Sequence, residues 1–162
     1  MPADPDPGPE TSVFDPEDGA ELENLLAGYV LGVLAEEPAA VGALPRTLQA
    51  WFVAFVVDRE VMAGGFNQLL FKAPEIASMA PDAFVHLGMD AAAVIAQDAW
   101  HLYDVVRARH DEARADGSFA AFSATYEPPV FEELDLMYAE SATEFTAARI
   151  AYVKAHPEEF AT

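Results

Sequence analysis

Four imidazoles, His86, His101, His110 and His156, are the side chains of this sequence best suited to moving a proton near neutral pH. Asp98 with His101, and His101 with Asp104, stand one helical turn apart, a spacing that could ligate a metal or relay a proton. No His-Glu-x-x-His pair, phosphate loop, nucleophile elbow or dinucleotide-binding glycine pattern accompanies them. Cysteine is absent, which removes disulfides, thiolate zinc sites and thiol nucleophiles. Histidines at these spacings are ordinarily structural or surface residues. The sequence therefore assigns no catalytic residue, no metal ligand and no cofactor, and a His/carboxylate metal enzyme stays the lesser alternative.

Carboxylates carry the other chemistry. The 162 residues hold 28 Asp and Glu against 8 Lys and Arg, a net charge of -20 and a pI near 4.2. Such a chain repels nucleic acid and anionic membrane and attracts a basic partner. Ten acidic residues precede the first basic one, Arg46, and only two lysines occur, Lys72 and Lys154. Adaptation to high salt or a biased coding composition would produce a similar balance. From Glu127 to Glu144 no basic residue intervenes. Glu127, Glu132, Glu133, Glu140 and Glu144 are thus the least compensated folded acids and the expected partner-binding surface. Asp135 is set apart as a structural acceptor in the turn before Tyr138. On the long helix expected before this stretch, Arg107, Arg109 and Arg114 lie within reach of Asp104, Asp111 and Glu112 and offset them.

These acids need elements to hold them. Residues 1–15, rich in proline and acid, are expected to form a disordered acidic arm. A single compact all-α domain is expected over residues 16–160. Its first helix starts at the Asp15-Pro16 cap and uses Leu22, Leu25, Leu26, Tyr29, Val30, Val33 and Leu34, ending near Glu37-Pro38. A central helix opens at Pro45 and stops at Gly64-Gly65-Phe66, with Gly65 as a left-handed cap that brings Phe66 onto Val61. A short helix over 66–71 is closed by Pro74, and another starts at Pro81 and stops at Gly88, with Met89 packing on Phe84. Asp90 caps a long helix to about Ala115 whose stripe is Ala91, Ile95, Ala99, Leu102 and Val106. After Asp116-Gly117-Ser118, a helix following Pro128-Pro129 turns Phe131, Leu134 and Tyr138 inward. The last helix uses Phe145, Ala148, Tyr152 and Ala155 and ends at His156-Pro157. The start of the chain has no signal-peptide pattern and no later run is long and apolar enough to span a bilayer, so a cytoplasmic location is expected.

The run from Trp51 through Glu60, Ala63-Gly64-Gly65-Phe66 and Gln68 to Phe71, with Leu87-Gly88, Leu134-Asp135, Tyr138, Tyr152-Val153 and Pro157-Glu158-Glu159-Phe160, resembles the bacterial DNA-mimic protein family over residues 45–160. The resemblance implies an all-helical domain, no transferable catalytic residues, and acidic members that occupy DNA-binding proteins in place of DNA. Ala63 stands where that family usually has Asn before Gly-Gly-Phe, Lys72 where an Asn usually follows the Phe pair, and Ala139 where a second Tyr is common. The partner it implies is a basic, DNA-binding protein such as a transcription regulator. A basic protein that binds no DNA, as for an immunity module, is the alternative. Duplex DNA carries one charge per ~1.7 Å of axis, whereas carboxylates at i and i+4 lie about 6 Å apart along a helix. Mimicry from one helix is sparse, so a homodimer that aligns two acidic surfaces is a companion expectation.

Overall fold

The computed structural model describes residues 18–36 and 38–160, and of residues 38–40 the backbone alone. The expected acidic arm and the Asp15-Pro16 cap lie outside the described residues. Among the described residues six α-helices follow in order: α1 Gly19–Glu36, α2 Arg46–Lys72, α3 Pro74–His86, α4 Asp90–Asp116, α5 Phe119–Ala124 and α6 Glu132–Ala155. Single 3-10 segments at Pro38–Ala43 and Pro157–Glu159 follow α1 and α6. Among the described residues there is no strand, as the helical periodicity requires.

Two apolar clusters hold the bundle. The larger joins α2, α3, α4 and α6 through Val57, Phe66, Phe84, Ile95, Leu134 and Tyr138. The second seats Leu22, Leu26 and Val30 of α1 on Trp51, Phe52 and Phe55 of α2 and Val153 of α6. α2 serves both clusters, which is why it is apolar nearly all round. On α1 the buried stripe is Leu22, Glu23, Leu26, Ala27 and Val30, while Leu25 and Tyr29 face outward. An apolar count alone put those two inside. It also passed over Glu23, whose burial depends on a partner remote in sequence.

The punctuation corrects several boundaries. Pro74 opens α3 at its first turn instead of closing the segment before it, and Pro81 lies within α3. An interior proline costs ~3 kcal/mol; here burial of Ala77, Ala80, Ala83 and Phe84 along one face offsets it. At Gly88 the expected stop forms in full. Gly88 has φ 71°, the Met89 N–H donates to the Phe84 carbonyl at 2.8 Å, and the Gly88 N–H to that of Val85 at 3.0 Å. Met89 then serves as the N-cap of α4, so Asp90 is its first residue and not its cap. In α4 Ile95, Ala99 and Val106 are buried as expected, but Ala91 is exposed and Leu102 half-buried. Tyr103 and His110 complete the inner face. Gly117, at φ 75°, ends α4, and Ser118 caps the short α5 by accepting from the Ala121 N–H at 3.1 Å.

The two helices expected after Pro129 are one. Neither glycine nor proline occurs between Phe131 and His156, so nothing breaks α6. Its inner residues are Leu134, Tyr138, Phe145, Arg149 and Val153, and Ala148 and Ala155 are exposed. Choosing alanines over Arg149 as core residues shifted the stripe by one position.

Candidate protein-binding surface

α6 displays its acids by its own periodicity. Glu133, Met137, Glu140 and Glu144 recur at i, i+4, i+7 and i+11, fall on one line away from the buried stripe, and are exposed. At a rise of ~1.5 Å per residue, Glu133 and Glu144 stand about 16 Å apart along the axis. Glu132 is exposed on the flank of this line, towards Asp135, and Glu127 is exposed in the loop before the helix. Of the five acids singled out, the structure therefore aligns three, sets one beside them and leaves one on a loop.

Several cations of the described residues are engaged elsewhere. Lys72 pairs with Glu60 at 3.4 Å, Arg107 with Asp104 at 2.9 Å and Arg114 with Asp111 at 2.5 Å. Arg114 also donates to the Phe71 and Leu70 carbonyls, capping the end of α2. Arg109 departs from the expected pairing on its own helix: it donates to the Glu127 carbonyl at 2.6 Å. A guanidinium thus borders the loop end of the acidic stretch. No ion pair among the described residues involves Glu127, Glu132, Glu133, Glu140 or Glu144.

Asp135 is a structural acceptor, but its partner lies 69 positions away and not in the turn before Tyr138. Its Oδ1 accepts the Phe66 N–H at 2.7 Å. At Gly64 (φ -155°, ψ 17°) and Gly65 (φ 75°, ψ 179°) the backbone of α2 leaves the helix and then resumes. This corrects the cap expected at Gly65: φ is positive, but ψ lies far from the left-handed helical value, and the Phe66 N–H goes to Asp135. Such a conformation is essentially confined to glycine. A Cβ on Gly65 would also stand 2.5 Å from Asp135 Oδ2. Phe66 therefore begins a new helical segment, and Asp135 supplies the acceptor its first amide lacks. Burial raises the Asp135 pKa, the Phe66 bond opposes that shift, and Glu132 one turn away adds to it.

Beside this junction lies an open groove of about 500 Å³. The Gly64-Gly65 backbone, Tyr126, Pro128, Val130 and Leu136 line it, with Glu132 and Asp135 among the walls. Tyr126 donates its hydroxyl to the Gly64 carbonyl at 2.8 Å and so ties the loop before α6 to the break in α2. No basic residue lines the groove.

The four histidines occupy three settings. His101 is exposed and contacts Gln97 at 3.0 Å, so neither Asp98 nor Asp104 is its hydrogen-bond partner. His110 is fully buried, with Nε2 at 2.9 Å from Asn67 Oδ1, and Asn67 donates on to Thr125 at 2.8 Å. Burial first, then Arg114 and Arg109, lower its pKa to about 4. His86 meets Thr47 at 2.8 Å, and Thr47 donates to Glu159 at 2.6 Å. His156 lies 3.8 Å from Glu158 and 3.4 Å from Glu159, half-buried at the end of α6. The chain's His156, Glu158 and Glu159 could approach one ion together, but Glu159 already accepts from Thr47 and Tyr152, which makes it a tie between helix ends.

Sequence reasoning missed the buried ionic cluster. Arg149, 1 % exposed, makes a two-pronged contact with Glu23 of α1 and stands 3.6 Å from Asp58 of α2, which accepts from Tyr138 at 3.2 Å. The available signal was position: Arg149 falls four residues after Phe145 and four before Val153, on the inner stripe.

Residues 42–156 match a protein-family model described as DMP19-like protein, which spans α2 to α6 and leaves α1 outside. No curated protein and no solved structure matches the chain.

Proposed function

The chain belongs to the DMP19-like protein family, and from that premise we propose that it occupies a basic, DNA-binding protein in place of DNA, through the outer face of α6. The observation that carries this reading is the line Glu133, Glu140 and Glu144, exposed on one rigid helix and without a basic partner among the described residues. Glu132 widens the line, and Glu127 extends it to the loop. The proposed action is occupancy, not catalysis, and it draws on no cofactor, metal or nucleic acid. No helix among the described residues is long and apolar enough to cross a membrane.

Spacing bears on how such a surface would compete. Carboxylates about 6 to 10 Å apart along one helix, as Glu133, Glu140 and Glu144 are, are sparser than the ~1.7 Å charge spacing of a duplex. A second copy that sets its α6 alongside would narrow the gap, and homodimerisation is part of the proposal. Sedimentation equilibrium tests it: a monomer at working concentration removes the dimer while leaving single-helix occupancy in place.

The decisive experiment is charge reversal. A partner captured from the native host at low salt is displaced from its DNA by the parent protein, and affinity falls steeply towards physiological ionic strength because exposed charges are screened beyond ~10 Å at 0.1 M salt. The combined Glu132→Lys, Glu133→Lys, Glu140→Lys and Glu144→Lys variant loses that competition while keeping its helical spectrum. If it competes as well as the parent, the acidic face is only solvated surface, and adaptation to high salt accounts better for the charge.

A further inference from the structure

The acidic line does not stand alone. On the flank of α6 next to it, the groove at the Gly64-Gly65 break exposes apolar side chains that solvation does not explain: Leu136 is 60 % exposed and Met62 52 %. Met137, 43 % exposed, stands within the acidic line itself. A surface that imitated only phosphates would have no use for them. The groove walls hold two carboxylates, Glu132 and Asp135, one helical turn apart, and no cation. Its occupant must therefore bring apolar groups and positive charge on one side.

We propose that this groove docks an amphipathic, arginine-bearing helix of the partner: its apolar side chains lie between Met62, Pro128 and Leu136, and an arginine reaches Glu132 and Asp135. The proposal rests on the occupancy reading above and deepens it by naming what the partner presents. Charge complementarity and shape carry it. Interfaces commonly place apolar anchors in pockets within a charged rim, and the planar fork of arginine suits a pair of carboxylates better than a point charge does. The groove is also braced: the Tyr126 bond to the Gly64 carbonyl and the Asp135 bond to the Phe66 amide fix its two walls. The acidic line of α6 then speeds encounter, while the groove decides which basic protein stays bound.

The test uses the full chain, 15N-labelled, and three synthetic helical peptides. One carries leucine and arginine on one face, one has serine in place of each leucine, and one has glutamate in place of each arginine. At 0.3 M salt the leucine/arginine peptide is expected to bind at least tenfold more tightly than either control and to shift the amides of Gly64, Gly65, Leu136 and Ala139. Ala139→Trp, which fills the groove from an exposed helical position, removes that advantage while leaving low-salt binding of the serine/arginine peptide unchanged. Leu136→Ser, a second variant that empties rather than fills the groove, lowers the advantage in the same direction. Equal binding of the leucine/arginine and serine/arginine peptides at 0.3 M salt, or an advantage that survives both variants, overturns the groove. Failure of the occupancy reading looks different: the serine/arginine peptide then leaves Glu133, Glu140 and Glu144 unshifted even at low salt, whatever happens in the groove.

Discussion

On the inner side of α6 Arg149 is enclosed by Glu23 and Asp58, while on the outer side Glu133, Glu140 and Glu144 are exposed and have no basic partner among the described residues. Both sides carry ionised groups on one helix, yet the two settings assign them different work. Taken from water, a charge must be paired, and losing its partner is expensive. Left in water, it contributes little to folding and remains free to act at a distance. Charge in the interior of this protein thus bears on stability, and charge on its surface bears on encounter.

Removing the interior cation should give the largest effect. Arg149→Met strands Glu23 and Asp58, and a broken buried pair costs about 3–5 kcal/mol. Urea unfolding measures it. A loss under 1 kcal/mol would mean that the cluster is hydrated and that the contrast between the two sides is false. A double change of Glu23→Gln with Arg149→Met should cost less than the sum of the single changes.

His110 sharpens the comparison from α4, because it is interior and neutral. Its folded pKa of about 4 lies below the ordinary 6.5. Above pH 6.5 both folded and unfolded chains hold it uncharged. Between 6.5 and 4 only the unfolded chain takes up the proton, so stability falls as pH drops through that window, by roughly 3 kcal/mol at ~1.4 kcal/mol per pH unit. Replacing His110 with Gln should flatten this part of the profile. An unchanged slope would show that the imidazole is not the group titrating.

The glycine pair separates inner-wall packing from surface tolerance. Gly65→Val forces a β-branched residue to φ 75° and drives its Cβ into the Asp135 carboxylate, with an expected cost of about 2 kcal/mol or more. At Gly64 φ is negative; a new Cβ meets the movable amide of Gln68 but also its Cβ at 2.9 Å, so Gly64→Ala should release the Gln68 bond to Glu60 and require a small local shift, at less cost than Gly65→Val. Equal losses at the two sites would refute the role given to Asp135.

The smallest stability effect belongs to the outer face. Changing Glu133, Glu140 and Glu144 to Lys should move the unfolding free energy by about 1 kcal/mol or less in either direction. A loss of several kcal/mol would place those carboxylates among the structural groups and remove the division between the two sides.

Periodicity and punctuation made much of this molecule legible. The all-α class, the stop at Gly88 with Met89 on Phe84, the break at Gly117 and the inward Leu134, Tyr138 and Phe145 each follow from local rules that act within a few residues. The acidic stretch could be read because charge is additive along a chain. Joining it into one straight line required α6 to run unbroken, where two helices are expected from the sequence although no glycine or proline separates them. What tertiary structure alone decided are the long-range pairings. Asp135 reaches Phe66 across 69 positions, Arg149 reaches Glu23 across 126, and Tyr126 closes the groove wall at Gly64 across 62. A buried polar group is tolerable only where a partner meets it, and the identity of that partner depends on which helices pack together. The sequence by itself determined the helices and the charge they carry; the packing of α1, α2 and α6 decided which charges were enclosed and which were left exposed, because desolvation depends on neighbours in space and not on neighbours in the chain.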